Sequence, residues 1–532
     1  MYGQVYGCCI HGIEGVVVEI EADLARGLPQ IHLVGLPDSA VRESIDRIRA
    51  AIKNTGYRFP QERVTINLAP ADLRKEGTAF DLAIAAGVLL ASGEVKADVS
   101  RTMFIGELSL DGKVRPVPGV LPMAAAAKQA GFKRVILPAE NAAEAGLISG
   151  IEIVPIRSLE HLRAMEADGS LPKPLGGEDS AQRNGLFSVH LQYSLSTAAD
   201  DAQAIETPDI DYGDVQGQHQ AKRAAMIAAA GRHHMLLIGP PGSGKTMIAR
   251  RLPSILPPMS EEEALEVMKI YSVTGRLHAN GRMMRQRPFR APHHTISPAG
   301  LIGGSASPKP GEVSLSHHGV LFLDELPEFS RSTLEVLRQP IEDGIVTIGR
   351  ARAICTFPTK FLLVAAMNPC PCGFSGSTSS KRACTCPSYR KEQYISRISG
   401  PLLDRIDLHV EVPYIEYAEL SGDAGRSLTS AAMREMIAAA EQRQASRYRE
   451  KTIRCNGDLR GEALRKYCKI SKEAGEMLQE YYEALGLSIR AHDRILKIAR
   501  TIADLDDHEQ IDTAHLAEAI QYRALDIPLV NG

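Results

Sequence analysis

Met235-Leu236-Leu237-Ile238 runs directly into Gly239-Pro240-Pro241-Gly242-Ser243-Gly244-Lys245-Thr246, and this junction decides the fold. The spacing is G-x-x-x-x-G-K-[ST], the phosphate-binding loop. Its glycines let successive backbone N–H groups turn inward around phosphates; Lys245 can reach the β/γ oxygens and the Thr246 hydroxyl can ligate Mg²⁺. The context is what that loop requires. A short buried strand enters it, and helix-compatible Met247-Ile248-Ala249-Arg250-Arg251 leaves it. The segment reads as an ATP or GTP site.

Working outward, the region 208–415 alternates apolar strand-like runs with helical patterns, so a doubly wound parallel α/β sheet is expected around the loop. Val320-Leu321-Phe322-Leu323 ends in Asp324-Glu325. A buried strand does not finish in two carboxylates for packing reasons, because neither is cheap to bury unpaired. Asp324 is suited to hold Mg²⁺ and Glu325 to deprotonate the attacking water. Val364-Ala365-Ala366-Met367 ends in Asn368, whose amide can help place that water. Arg405 in Leu402-Leu403-Asp404-Arg405 and Arg490 at a helix start are further cations, able to stabilise charge on the transferred phosphoryl group. Taken singly, each could equally be a structural ion-pair residue.

The chain has 532 residues, enough for about three or four domains. Its 44% apolar and 23% charged composition is that of an ordinary globular chain. The N-terminus has no basic signal-like region and no apolar run approaches a membrane span, so a cytoplasmic protein without a membrane partner is expected. The net charge is −3, yet residues 281–400 hold 15 Lys/Arg against 8 Asp/Glu. Basic charge around the nucleotide motifs suits a groove or pore for a polyanion, or simply a solvated basic face.

Four segments are expected. Residues 1–165 mix strand-like and helical runs, with Asp111-Gly112 as a hairpin signal. Residues 166–207 are acidic and carry Pro172, Pro174, Gly176 and Gly177, the composition of a linker, although Leu186–Leu195 could add a strand. Residues 208–415 form the nucleotide core, and 416–532 a helical lid.

Between the lid and the phosphate loop lie two smaller features. Gly344–Ala353 reads as a hairpin just before the Asn368 strand, with Arg350 and Arg352 alternating and so sharing one face. Such a face suits phosphate contacts without base readout, though arginines also decorate ordinary edge strands. Cys370-x-Cys372 and Cys384-x-Cys386 offer four thiolates, which could complete a tetrahedral Zn²⁺ site or remain free, redox-labile thiols. The C-x-C spacing is tighter than in most zinc sites.

The order Val215-x-Gly217-Gln218, phosphate loop, Asp-Glu strand, Asn strand, Leu-Leu-Asp-Arg and helix-opening Arg resembles AAA+ ATPases. Phe289–Thr295, Ser316–Glu325 and Arg397–Arg405 are most similar to the magnesium-chelatase-like group that includes the YifB/ComM proteins. The resemblance runs from end to end. It implies that Val215, Gly217 and Gln218 also contact nucleotide and that ATP and Mg²⁺ are the cofactors. It also implies a homo-hexameric ring with ATP held between subunits, Arg405 acting in trans. A helix-2 insert near Thr295–Gly304 and a hairpin before the Asn368 strand fit the same branch, whose DNA motors use such hairpins as pore loops. The implied activity is that of a helicase or translocase on single-stranded or branched DNA. Its implied task is branch migration of recombination intermediates, including DNA integration in natural transformation. The alternative is a chelatase-type motor remodelling a protein partner.

Gly106–Gly119, Val135–Asn141 and Lys75–Ala79 resemble the proteolytic domain of Lon. There a lysine must deprotonate a serine. Here those positions hold Ala79 and Leu121, so a collar role is expected in place of proteolysis, with Thr78 one residue out of register.

Overall fold

The computed structural model describes residues 1–165, 167, 170–171, 210–277, 282–304, 308–350, 353–375, 383–414, 428–448 and 453–523. Most of the expected linker, the Leu186–Leu195 segment and Arg352 lie outside them. The chain forms two compact units, Met1–Ala198 with Glu261–Met284, and Ala199–Ser260 with Arg285–Gly532.

In the first unit a seven-stranded mixed sheet is ordered Ile31–Val34, Arg63–Ala69, Glu14–Ala25, Tyr2–His11, Thr102–Phe104, Arg134–Pro138 and Glu152–Ile156. Tyr2–His11 pairs antiparallel with Glu14–Ala25 through a tight turn at Gly12, which adopts φ 66°. The helix Asp81–Ala91 is buried on nearly every side, because its run of Ala, Leu, Ile and Val has no polar face to offer water. The Asp111-Gly112 hairpin is present but short, pairing Glu107–Leu108 with Val114–Arg115.

The segment Glu261–Met284 departs from the expected 208–415 boundary, since it packs with the N-terminal unit. Its helix, Glu261–Val273, turns Met268 into the cluster formed by Met123, Ala124 and Ala127, with Leu265 beside it. Polar contacts fix the register. Gly119 N donates to Ser272 O at 3.0 Å, and Lys269 meets Glu14 at 2.7 Å.

The second unit is built on a five-stranded parallel sheet ordered Phe289–Arg290, Val320–Leu323, Leu362–Met367, Met235–Ile238 and Leu408–Glu411. Parallel strands sharing one direction bring their carboxyl ends to one edge, where loops can build a site. The helices Ser430–Arg447, Gly461–Tyr467, Lys472–Leu485, Ile489–Leu505 and Thr513–Gln521 follow, as the helical spacing predicts. Their apolar faces join the core of this unit. Arg500 is fully buried there, its charge met by Asp504 at 2.9 Å.

Two local expectations differ from the structure. Thr295–Gly304 contains a five-residue helix, Pro298–Ile302, and an antiparallel bridge from Gly303 to Pro310 among the described residues; a helix therefore precedes the expected insert, whose residues 305–307 lie outside them. Ser297 accepts from Gly300 N and Pro298 occupies the first turn, which favours helix over strand. The second hairpin spans more than expected, with Ile345–Arg350 pairing antiparallel with Ala353–Pro358.

Candidate nucleotide site

The strand Met235–Ile238 delivers the phosphate loop between the ends of Leu362–Met367 and Leu408–Glu411. Gly242 and Gly244 take φ of 79° and 93°, a backbone region open to glycine at no steric cost. Gly239 is constrained differently: a Cβ there would lie 2.2 Å from Val412 O. The helix Lys245–Arg251 begins as the loop ends, so its free N–H groups face whatever the loop encloses.

Lys245 Nζ donates to Gly239 O and Pro240 O at 2.8 Å each and to Asn368 Oδ1 at 3.2 Å. Burial pushes its pKa below the ordinary lysine value. Thr246 Oγ1 donates to Asp324 Oδ2 at 2.8 Å, which joins the start of the helix Lys245–Arg251 to the end of the strand Val320–Leu323. That pairing of a hydroxyl and a carboxylate fits a magnesium ion, which Thr246 and Asp324 would hold and which would supply positive charge against the phosphates. Glu325 follows in a left-handed conformation, φ 51°, with its carboxylate 60% exposed. Left-handed backbone at a bulky non-glycine residue marks a position held by its surroundings.

The segment before the loop is tied to it. Val215 is buried and Gln218, at φ 51°, donates from Nε2 to Ser243 O and Pro413 O. Gly217, at φ 57°, makes the turn between them. Tyr212 OH donates to Ile248 O at 2.9 Å. Pro240, Pro241 and Ser243 complete the loop, with Ser243 itself buried.

Arg405 and Arg490 are brought together, away from these contacts. Both line a cavity of about 1180 Å³ that none of the residues Gly239–Thr246 lines. There Arg405 donates to Glu342 and, through Nη1, to Pro401 O at 2.6 Å.

Sequence reasoning missed His294, whose Nδ1 lies 3.6 Å from Glu325 Oε2 and whose ring stacks on His293 at 4.0 Å. The signal was the paired histidines just beyond the strand Phe289–Arg290, whose neighbour in the sheet is the strand ending at Asp324.

The four clustered cysteines converge, with all four sulfurs within 4.8 Å of one another. Cys370 Sγ is 3.3 Å from Cys372 Sγ and 3.7 Å from Cys384 Sγ. Backbone N–H donation from Phe374 helps pull the Cys372 thiol down to about 6. The set fits a tetrahedral thiolate site, where Zn–S bonds of about 2.3 Å place sulfurs roughly 3.8 Å apart. The turn also touches the phosphate loop: a Cβ on Gly373, at φ 86°, would lie 2.4 Å from Pro241 Cδ. Arg350 closes its strand, while Arg352 lies outside the described residues.

In the first unit Ala79 and Leu121 are both buried in apolar surroundings. Thr78 donates its hydroxyl to the Glu107 carboxylate. No Ser–Lys pair can form at the two Lon positions.

A phosphate loop at the end of a parallel strand, the Asn368 strand beside it and the Asp324-Glu325 strand one further, with a helical C-terminal region, define a AAA+ ATPase. The magnesium chelatase subunit ChlI family matches residues 211–420, a second ChlI segment matches 20–141, and its C-terminal segment matches 427–523. YifB of Salmonella typhimurium is 43% identical, covering 98% of this chain and 96% of its own. The competence protein ComM of Haemophilus influenzae is 42% identical, covering 98% and 97%. Lon protease 2 of Bacillus subtilis is 29% identical over 30% of this chain and 32% of its own. The chain belongs to the YifB/ComM family of magnesium-chelatase-like AAA+ ATPases. The family implies ATP and Mg²⁺ as cofactors. Among the described residues, no helix is long and apolar enough to cross a membrane.

Proposed function

We propose that this protein is an ATP-driven DNA motor, a homo-hexameric helicase or translocase that promotes branch migration of recombination intermediates, including those of natural transformation. The observation that carries this reading is the hairpin Ile345–Pro358. It directly precedes the strand Leu362–Met367, which leads into Asn368, whose amide meets Lys245. A shift at the nucleotide is therefore one short segment from this hairpin, and the sequence at its turn carries Arg350 and Arg352, cations suited to the phosphate backbone of single-stranded or branched DNA without reading sequence. End-to-end similarity to a competence protein supports the same reading.

In the working cycle Lys245 and Thr246 hold the triphosphate, Thr246 and Asp324 would hold the magnesium ion, and Asn368 places the water that Glu325 deprotonates. His294 orients Glu325. Arg405 and Arg490 serve the nucleotide of a neighbouring subunit, which accounts for their sharing one cavity lined by no residue of their own phosphate loop. Cys370, Cys372, Cys384 and Cys386 hold zinc and stiffen the turn that leans on Pro241.

The second reading, a motor remodelling a protein partner, is favoured by the match to a chelatase subunit. One experiment separates the two: ATPase rate with no polymer, with single-stranded DNA, with a four-way junction and with an unfolded protein. Stimulation by DNA, strongest with the junction, is the expected outcome. Stimulation by protein alone overturns the DNA-motor reading.

A further inference from the structure

Glu342 sits at the meeting point of three arginines that come from distant parts of the chain. Arg405 donates to its carboxylate. Arg460, which opens the helix Gly461–Tyr467, donates from Nη2 to its backbone carbonyl at 2.6 Å. Arg490, the second residue of the helix Ile489–Leu505, lines the same cavity and acts on it electrostatically. The hydrogen bond from Arg405 is the chief reason the Glu342 carboxyl is held below its ordinary range. Arg405 Nε is buried with no hydrogen-bond partner among the described residues, so the side chain is not committed to Glu342 through its whole fork.

The position of Glu342 in the chain gives that contact a consequence. It is the penultimate residue of the helix Arg338–Asp343, and Gly344, at φ 66°, turns the chain into the hairpin strand Ile345–Arg350. Thr359 N donates to Gly344 O at 2.8 Å and closes the hairpin at its foot. The carboxylate that holds Arg405 is thus two residues from that foot.

A guanidinium presents its paired donors in one plane and cannot offer the same pair to a carboxylate and a phosphate at once. Glu342 and a neighbouring subunit's terminal phosphate are therefore competing anions for Arg405. We propose that Glu342 is a positioning residue that parks Arg405 and, by surrendering it to a neighbour's nucleotide, transmits that nucleotide's presence to the foot of the hairpin. This rests on the reading of Arg405 as a residue acting in trans. The Arg405–Glu342 pair is the two-state element that both sites bias, which is what coupling between them requires. Arg460 and Arg490 keep the carboxylate charged and in place when Arg405 leaves.

The test compares ATP turnover, with and without a four-way DNA junction, for assembled wild-type protein, Glu342→Gln, Glu342→Asp and Arg405→Ala. Removing a partly exposed ion pair of this kind shifts an equilibrium by about twofold to fivefold. Glu342→Gln should accordingly raise unstimulated turnover by that factor and reduce the stimulation by DNA. Glu342→Asp, which keeps the charge, should retain a stimulation ratio near that of wild type. A wild-type ratio in Glu342→Gln overturns the proposal. So does an equal fall of both rates in the Gln and Asp variants, which marks a purely structural role. If Arg405→Ala turns over ATP normally, the trans reading fails first. If Arg405→Ala is inactive while Glu342→Gln behaves as wild type, only the coupling role fails.

Discussion

The ammonium of Lys245 is 3.2 Å from the side-chain oxygen of Asn368, at the end of the neighbouring strand. The carbonyls of Gly239 and Pro240 accept its other two protons. All three partners are neutral oxygens. A triphosphate offers charged ones, and charge-assisted hydrogen bonds are the stronger kind. On the proposed reading, nucleotide binding should re-pair Lys245 and free the Asn368 amide to meet water.

Replacing Lys245 with Ala should abolish nucleotide binding, whereas Glu325→Gln should bind ATP and assemble but lose turnover. The amide cannot accept the proton of the attacking water, a loss of about 100-fold or more. Phosphate release together with a fluorescent-nucleotide titration measures both. Hydrolysis by Glu325→Gln at near wild-type rate would show that another group is the base.

Subunits carrying Arg405→Ala, mixed with subunits carrying Lys245→Ala, should recover part of the activity that each lacks alone. Mixed rings contain interfaces that join an intact phosphate loop to an intact arginine. A residue acting in cis gives no recovery at any mixing ratio.

Purified without chelator, the protein should carry about one zinc per chain, bound by four thiolates. Metal analysis and thiol titration are read together. Near-zero metal with four freely reactive cysteines between residues 370 and 386 rules the site out. Ser in place of Cys372 should lower both the zinc content and the affinity for ATP, because the backbone at Gly373 lies so close to Pro241 that a Cβ there would clash.

Alanine at both Arg350 and Arg352 should weaken DNA stimulation and make DNA affinity fall less steeply with salt. Each lost phosphate contact reduces the slope by roughly one unit on a log–log plot. The loss should be alike for unrelated sequences, since backbone contacts carry no base information. Normal unwinding of a four-way junction by the double variant would move the DNA contact elsewhere.

The nucleotide core was legible because its signals are local. The phosphate loop, the apolar strand ending in Asp324-Glu325 and the strand ending in Asn368 each carry their meaning within about eight residues. The cysteine cluster was legible as two Cys-x-Cys pairs close in sequence, at 370–372 and 384–386. Arg405 and Arg490 could be singled out, but their convergence around Glu342 could not, because it depends on where the lid folds back. Nothing in the sequence around Glu342 sets it apart from other helix carboxylates. Tyr2–His11 escaped notice as a strand because its cysteines, glycines and tyrosines blur the alternation that a half-buried strand displays. The helix Pro298–Ile302 was obscured by flanking glycines that suggest a turn.

The segment Glu261–Met284 has a practical consequence for anyone dissecting this chain. Composition marks 166–207 as the natural place to cut, yet the chain passes from one unit to the other again at 260/261 and returns at 284/285. Met268 and Leu265 belong to the apolar cluster of Met123 and Ala127. A fragment beginning near residue 208 would carry that face into water with its natural cover deleted, as an exposed greasy helix prone to self-association. The Lon-like unit and the ATPase are therefore not a removable accessory and an engine: the ATPase sequence supplies a piece of the accessory's own core. A fragment fit for study would need 261–284 replaced by a short polar bridge, and a fit N-terminal unit would need that helix added back.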